Sequence, residues 1–575
     1  MNQNVIAVSA ALFVGSFGLT SAAQANVIRD NGAAAPAGTT TSATAQSVLP
    51  GGIGHQLIIP YYNVQAGNAT LVNLINSDII NGKAVKVRFR GASNSDDVFD
   101  FQVFMSPGDI WSANISRGAD GRAILTSTDK SCTIPQTVSG TSFVTARLNP
   151  RLTGDTLAAE TREGYIEIFN MADIPPLGIT PATGAPLATA NALFTTTKHV
   201  GGIAPCFGTT AGAAALNALQ NDPADLAAAY TLGLRGPSTG LFANWTIINV
   251  PKSGASSGEA IALTATVGAG GPNGIGNIVF FPQTGTVAAT PSLFTADPAL
   301  RTTAGVTVND VQNGSGGAFG GAVPIIAASN FDLPDLSTPY LLLAAYPPVA
   351  ADPVAQAYSL TRAIATVNVI NEYLTETAIG AFTDWVFSSP TRRYSVALDY
   401  RPAAPLPFVR AYTNMGQLSV LQAPVPLVPT AGGRDYFTNA NTSLSASGFQ
   451  ICTTTSGVTF YDREETTLVG NNFVISPNPP AAGFRLCGET SVLTFNAPGG
   501  QSVLGAEIAR TDFATTPFRD GWANIGTAGV GTGVAGIAAN GLPILGKAYT
   551  RAGNGTVSAN FGGAWEHRYI RPATP

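Results

Sequence analysis

The segment Ala84-Val85-Lys86-Val87-Arg88-Phe89-Arg90 alternates apolar and basic residues without a break. A period of two belongs to an extended strand, whose successive side chains point to opposite faces. Val85, Val87 and Phe89 take one face, and Lys86, Arg88 and Arg90 take the other. The spacing predicts a strand with one face in a core and the other in water. Thr70 to Asn76 and Phe99 to Phe104 carry the same alternation on either side. Asn81-Gly82 and the polar cluster Ser93 to Asp97 supply turn chemistry between them. The stretch from Ile53 to Asn114 therefore predicts an antiparallel sheet with one wet face, half of a sandwich.

The pattern recurs along the chain. Phe143 to Leu148, Tyr165 to Phe169 and, more weakly, Leu193 to Val200 read as strands. Residues 210–232 differ: two Ala-rich stretches split by Asp222-Pro223 suit helix. Strand spacing resumes at Trp245 to Val250 and Ala260 to Val267. Gly-rich runs at 268–274 and 313–321 break it. Ala365 to Asn371, Trp385 to Phe387, Tyr394 to Leu398, Val458 to Tyr461 and Ser491 to Phe495 then continue in the same style. Val72-Asn73-Leu74-Ile75-Asn76 is echoed by Val367-Asn368-Val369-Ile370-Asn371, as duplication of a β domain would leave. The expected fold is mainly β, with two or more antiparallel β-sandwich-like domains and a short helical insertion. The boundaries read as a signal peptide over 1–25, a flexible leader over 26–50 and a β domain with the helical insertion over 51–270. A Gly-rich boundary region follows over 271–321, then second β domain(s) over 322–575.

Composition narrows the compartment and the partners. Charged residues are only 11% of 575, against about 25% in ordinary soluble domains, and the net charge is −5. With 45% apolar residues the chain predicts folding rather than disorder. No basic stripe is present to attract nucleic acid. Val5 to Leu19 is apolar and Ala23-Gln24-Ala25 is a small-x-small cleavage site, so the N-terminus reads as a secretory signal with a mature start near Asn26. No later run reaches the roughly 18 apolar residues of a membrane helix. The four cysteines, Cys132, Cys206, Cys452 and Cys487, form an even set in an exported chain, which predicts disulfides. Of the three possible pairings, Cys132–Cys206 with Cys452–Cys487 keeps each bridge within its own half.

Motifs for chemistry are sparse. Gly254-Ala255-Ser256-Ser257-Gly258 has the spacing of a nucleophile elbow, which requires a strand before it, a helix after it and a base. Strand pattern follows it and His567 is the sole downstream histidine, so a Gly/Ser hairpin turn is expected. Gly531-Thr532-Gly533-Val534-Ala535-Gly536 has the dinucleotide spacing without a βαβ context and reads as a loop. Asp96-Asp97 with Asp100, and Asp332-Leu333-Pro334-Asp335 beside Asn330, place acids in loops of the kind that hold calcium. Neither matches the helix-loop-helix calcium spacing, and both are expected to be solvated turns. His55, His199 and His567 lie far apart and no Cys-x-x-Cys occurs, so zinc is not indicated. Tyr61-Tyr62 and Trp565 to Tyr569 have the ring surface to stack on sugars, although packing is the commoner role of such residues. No catalytic, cofactor-binding or metal-binding residue is assigned, and calcium is the one cofactor left open.

Leu57-Ile58-Ile59-Pro60-Tyr61-Tyr62, Ala84 to Phe89 and Phe101 to Trp111 resemble strings in a group of secreted proteobacterial proteins usually labelled only "cell surface protein". Thr383-Asp384-Trp385-Val386, Ser389 to Arg393 and Tyr461 to Glu465 are similar to later parts of that group. The resemblance implies a location outside the cell and brings no catalytic residues with it. Few lysines, few charges and abundant Thr, Asn, Gly and Ala suit β domains packed side by side, so the leading reading is a structural cell-surface protein, an S-layer or extracellular-fibre subunit acting by self-association as a homo-oligomer or array, with a cell-envelope glycan as a further partner. The alternative is a secreted carbohydrate-binding protein or glycoside hydrolase, which needs two carboxylates facing across a cleft.

Overall fold

The computed structural model describes residues 26–28, 45–280 and 360–571, apart from 137, 146–147, 208, 221–222, 224, 268–270, 277, 395, 400–408, 413–435, 438–440, 470–484, 497–501, 516, 528–540 and 555–558. The proposed signal peptide, the Gly531 motif and the Asp332–Asp335 cluster lie outside the described residues. Within them the chain is mainly β, with antiparallel sheets and a few short helices. No described helix is long and apolar enough to cross a membrane.

The N-terminal half contains strands β1 (Gln56–Asn63), β2 (Asn68–Asn76), β3 (Gly82–Gly91), β4 (Asp97–Met105), β5 (Ile110–Arg117), β6 (Ala123–Thr126) and β7 (Glu163–Ile174). After a helical insertion come β8 (Leu241–Asn249), β9 (Gly254–Glu259) and β10 (Ile261–Thr266). They build two sheets. The first runs Thr141–Ser142, β6, β5, β2, β8, β9. The second runs Ala45–Pro50, β10, β1, β7, β3, β4, Cys132–Ile134. The facing surfaces bury Val72, Leu74, Trp111 and Trp245 from one sheet and Val85, Val87, Phe89 and Phe101 from the other. Phe99 and Phe143 stack with centroids 5.0 Å apart, and Tyr62 meets Phe89 edge-on at 5.5 Å. Truncating Phe89 to Ala in such a core costs about 3–5 kcal/mol.

Several local expectations change. The three alternating strands do not share one sheet: β2 pairs with β5 and β8, whereas β3 pairs with β4 and β7. Ser77 to Asn81 is thus a crossover between sheets, not a hairpin. Within the expected leader, Asn26–Ile28 pairs with Ile278–Phe280 and Ala45–Pro50 with β10. Strand pairing stops at Ser142 rather than continuing through Leu148. Leu193 to Val200 opens as a helix, α1 (Ala192–Thr197), because Asn191 caps it by accepting from the Leu193 amide at 3.0 Å. With α2 (Thr210–Asn217) and α3 (Leu226–Thr231), α1 packs Leu193 and Phe194 against Ala84, Phe104, Phe169 and Met171. The helical insertion therefore covers part of the second face of the seven-stranded sheet.

The rest of that face carries charges that are buried, not wet. Lys86, Arg88 and Arg90 are at most 2% exposed. Glu167, Arg88 and Asp100 stand directly opposite one another on three adjacent strands. Lys86 reaches Asp100 at 2.6 Å, and Arg90 reaches Glu167 at 3.0 Å. Taking such charges from water is costly, and only close opposite partners offset the cost.

The C-terminal half repeats the plan with β11 (Asn368–Leu374), β12 (Phe382–Ser388), β13 (Gly457–Tyr461), β14 (Thr490–Phe495), β15 (Asp520–Gly526), β16 (Lys547–Asn554), β17 (Ala559–Glu566) and β18 (Arg568–Ile570). One sheet runs Thr467–Val469, β13, β15, β11, β18. The other runs Arg510–Phe513, β14, β12, β16, β17. The echoed segments occupy the same place in each half. In the first, β2 lies between β5 and β8 while β3 lies between β4 and β7. In the second, β11 lies between β15 and β18 while β12 lies between β14 and β16. The direct neighbours of the echoed strands correspond in chain order and are all antiparallel, as duplication of a unit would leave. The outer strands differ: β13 precedes β15 where β6 follows β5, and Arg510–Phe513 runs parallel to β14 where Cys132–Ile134 runs antiparallel to β4. Leu74 and Val369 are both buried in their sheets, as are Asn76 and Asn371.

The halves meet along a polar seam. The Glu163 carboxylate accepts from the Glu507 amide at 2.7 Å, the Ile508 amide at 3.1 Å and the Tyr61 hydroxyl at 3.1 Å. Burial still pushes its pKa up against those hydrogen bonds. The Ala92 carbonyl accepts from the amides of Glu489 and Thr490 at 2.8 and 3.0 Å. Gly488 precedes them at φ +87°, where an added Cβ would lie 2.8 Å from that carbonyl. Val386, Val492, Leu504 and Tyr549 complete the N-terminal core, so hydrophobic packing is continuous across the seam.

Candidate functional site

Most residues with conceivable chemistry are consumed by the fold. Gly254 to Gly258 is not a turn but the edge strand β9, and β10 rather than a helix follows it. Ser256 lies on the wall of a shallow groove at the seam, with Asn249, Lys252, Arg551 and Phe561. His567 is buried, stacked on Phe387 with centroids 4.9 Å apart. Its two ring nitrogens meet the Val386 carbonyl at 3.1 Å and the Asn371 amide at 3.0 Å. Burial drives its pKa to about 3, so it is neutral and enclosed. His55 is likewise buried, with a pKa lowered to about 3 by burial and by Lys83.

The acids of the Asp96–Asp100 stretch are not solvated. Asp97 lies 3.5 Å from Arg88. Burial pushes the Asp100 carboxyl upward, but Lys86 and Arg88 outweigh it and hold the pKa at about 2. Among the described residues, no three His, Cys, Asp or Glu side chains gather as a metal-holding group. Tyr61 and Tyr62 are fully buried, and their hydroxyls donate to Glu163 and to the Thr161 carbonyl. In the second aromatic cluster Glu566 pairs with Lys547, Tyr569 donates to the Gly546 carbonyl, and Trp565 is exposed. The cysteines form two disulfides, Cys132–Cys206 and Cys452–Cys487.

Among the described residues, two exposed surfaces stand out. The first is the crossover after β2. Asn76 donates to the Asn81 and Ser106 carbonyls at 3.0 and 2.9 Å. The Asp78 carboxylate accepts from the amides of Ile80 and Asn81 at 2.8 and 2.9 Å, and from Lys83 at 3.0 Å. This fixed turn holds Ile79 84% and Ile80 62% exposed. The Gly108 amide donates to the Asp78 carbonyl, which brings half-exposed Ile110 to the same corner. Asp109 stands 3.5 Å from His199, and exposed Val200 follows His199.

The second surface is the outer face of the β13–β15–β11–β18 sheet. Tyr461 and Trp522 are direct cross-strand partners, their rings parallel within 8° and 4.0 Å apart. Glu372 faces Trp522 from the other side. The next row is Thr459, Asn524, Ile370 and Arg568. Phe460, Ala523, Ile525 and Val369 turn inward and are buried. Trp522 is left 41% exposed.

Sequence reasoning missed both surfaces, although each had a signal. Ile79-Ile80 is an apolar pair inside turn residues. Trp522-Ala523-Asn524-Ile525 alternates so that Trp522 must share the polar face with Asn524. No family model, curated protein or solved structure matches this chain.

Proposed function

We propose that this protein is a structural subunit of the cell exterior that works by associating with copies of itself. The isoleucine corner carries the reading. Ile79 and Ile80 are held rigidly in water by Asn76, Asp78 and Lys83. Exposed apolar groups add nothing to the fold, and clusters of them mark protein contacts. A turn already fixed loses little entropy when a partner covers it. Low overall charge reduces the repulsion between packed copies, and two disulfides are compatible with an oxidising exterior.

The test is the assembly state of purified protein, followed by sedimentation and electron microscopy. The expected result is oligomers or ordered arrays, converted to monomers by the double substitution Ile79→Asp, Ile80→Asp at unchanged thermal stability. A wild-type protein that remains monomeric at high concentration, with and without calcium, overturns the reading.

A further inference from the structure

We infer that the Trp522 face of the C-terminal half is a binding platform for a polysaccharide whose sugars are neutral or carry amines. The proposal stands apart from self-association, because it uses a different sheet and a different chemistry.

The argument begins with the rings. Tyr461 covers one face of the Trp522 indole at 4.0 Å and fixes its plane. The opposite indole face turns toward β11, where Glu372 is the directly opposed residue. Trp522 is 41% exposed, and an exposed indole beside a carboxylate matches a pyranose. The C–H face of the sugar packs on the ring, and its edge hydroxyls or an amine donate to the carboxylate. An amine would also meet the electron-rich face of the indole. Asn524 and Arg568 stand one row away on the same outward face, about 7 Å along the strands. That spacing suits a chain of sugars lying along the sheet better than a single ring.

Charge narrows the class. Beside the platform, the tight turn after β13 carries Asp462, Glu464 and Glu465. It lies beside β15, since a Cβ added at Gly521 would sit 3.1 Å from the Asp462 Cα. Of the nearby arginines, Arg463 pairs with Asp520 and Arg519 with Glu376. Glu372, Asp462, Glu464 and Glu465 therefore outnumber Arg568 around the rings. Such a rim repels uronic acids and phosphorylated sugars and accepts neutral or amine-bearing ones.

Affinity electrophoresis of the whole protein tests this in native gels containing hydroxyethylcellulose, glycol chitosan or polygalacturonate. The expected result is retardation by one or both of the first two polymers and none by the third. Trp522→Ala should weaken retardation on the order of tenfold. Trp565→Ala, which removes another exposed tryptophan, should leave it unchanged. Glu372→Gln keeps the side chain's shape and should weaken binding to glycol chitosan most, which guards against any folding defect in the alanine variant. The proposal is overturned if neither neutral nor amine-bearing polymer retards the protein, if polygalacturonate retards it most, or if Trp522→Ala binds as wild type. Sedimentation of Trp522→Ala should match wild type, so failure here is separable from failure of the assembly reading.

Discussion

The Arg393 guanidinium reaches both carboxylate oxygens of Glu167, 3.3 Å from each, across 226 residues of chain. Both side chains are 1% exposed, and Glu167 also accepts from Arg90. Removing Arg393 leaves buried Glu167 with Arg90 and takes away its charged hydrogen bonds across the seam. Arg393→Ala should therefore cost about 1.5–3 kcal/mol in denaturant unfolding. Arg393→Lys should recover only part, because an ammonium is more strongly hydrated and costs more to bury. A loss below about 1 kcal/mol for the alanine variant would show that the pair does not hold the seam.

A second prediction concerns pH. Burial raises the Glu160 carboxyl from its ordinary 4.5 to about 7, helped by nearby Glu163 and opposed by Ser93. A carboxyl with a raised folded pKa stabilises in full below about 4.5, and that contribution is lost as pH rises through about 7. Glu163, also raised by burial, gives a slope of the same sign. Glu160→Gln should flatten the stability profile between pH 5 and 7 by up to ~3 kcal/mol. Thermal melts at half-unit pH steps measure it, and an unchanged slope would contradict it.

Glycines test the role of the Gly254–Gly258 motif. Trp245 lies directly opposite Gly258 across β8 and β9, and an added Cβ would sit 2.7 Å from the indole. Nothing lies within 4 Å of a Cβ at Gly254. Gly258→Ala should destabilise by about 1–3 kcal/mol, whereas Gly254→Ala and Ser256→Ala should stay within about 0.5 kcal/mol. Equal effects at the two glycines would contradict the packing explanation.

The Cys132–Cys206 bridge ties the strand Cys132–Ile134 to the helical insertion over a separation of 74 residues. Replacing both cysteines with serine should cost about 2–5 kcal/mol. The loosening should be local, with limited proteolysis cutting between Ala192 and Thr231 before other described segments. Cleavage first in the C-terminal half would show that the bridge does not anchor the insertion.

Strand existence was legible because alternation is a local property. Val85, Val87 and Phe89 point inward as their spacing requires. Sheet membership was not legible, since β2 and β3 alternate alike and the crossover is decided by pairing with strands distant in sequence. The burial of Lys86, Arg88 and Arg90 was equally hidden. Their residue types suggest water, while the acids that accommodate them, Asp97, Asp100 and Glu167, come from other strands. Leu193-Phe194 read as strand because a short apolar run has no period of its own, and a single cap at Asn191 decided for helix. The two candidate surfaces needed exposure values, which the sequence does not carry.

The seam has a consequence for inheritance. Each half supplies groups that the other helps to satisfy: Arg393 pairs with Glu167, and the Glu507 and Ile508 amides donate to Glu163. The two halves have thus become dependent on one another. Recombination that swaps one half between relatives succeeds only when it carries the matching acid and base, so variation in such a lineage must travel as whole chains or as paired changes.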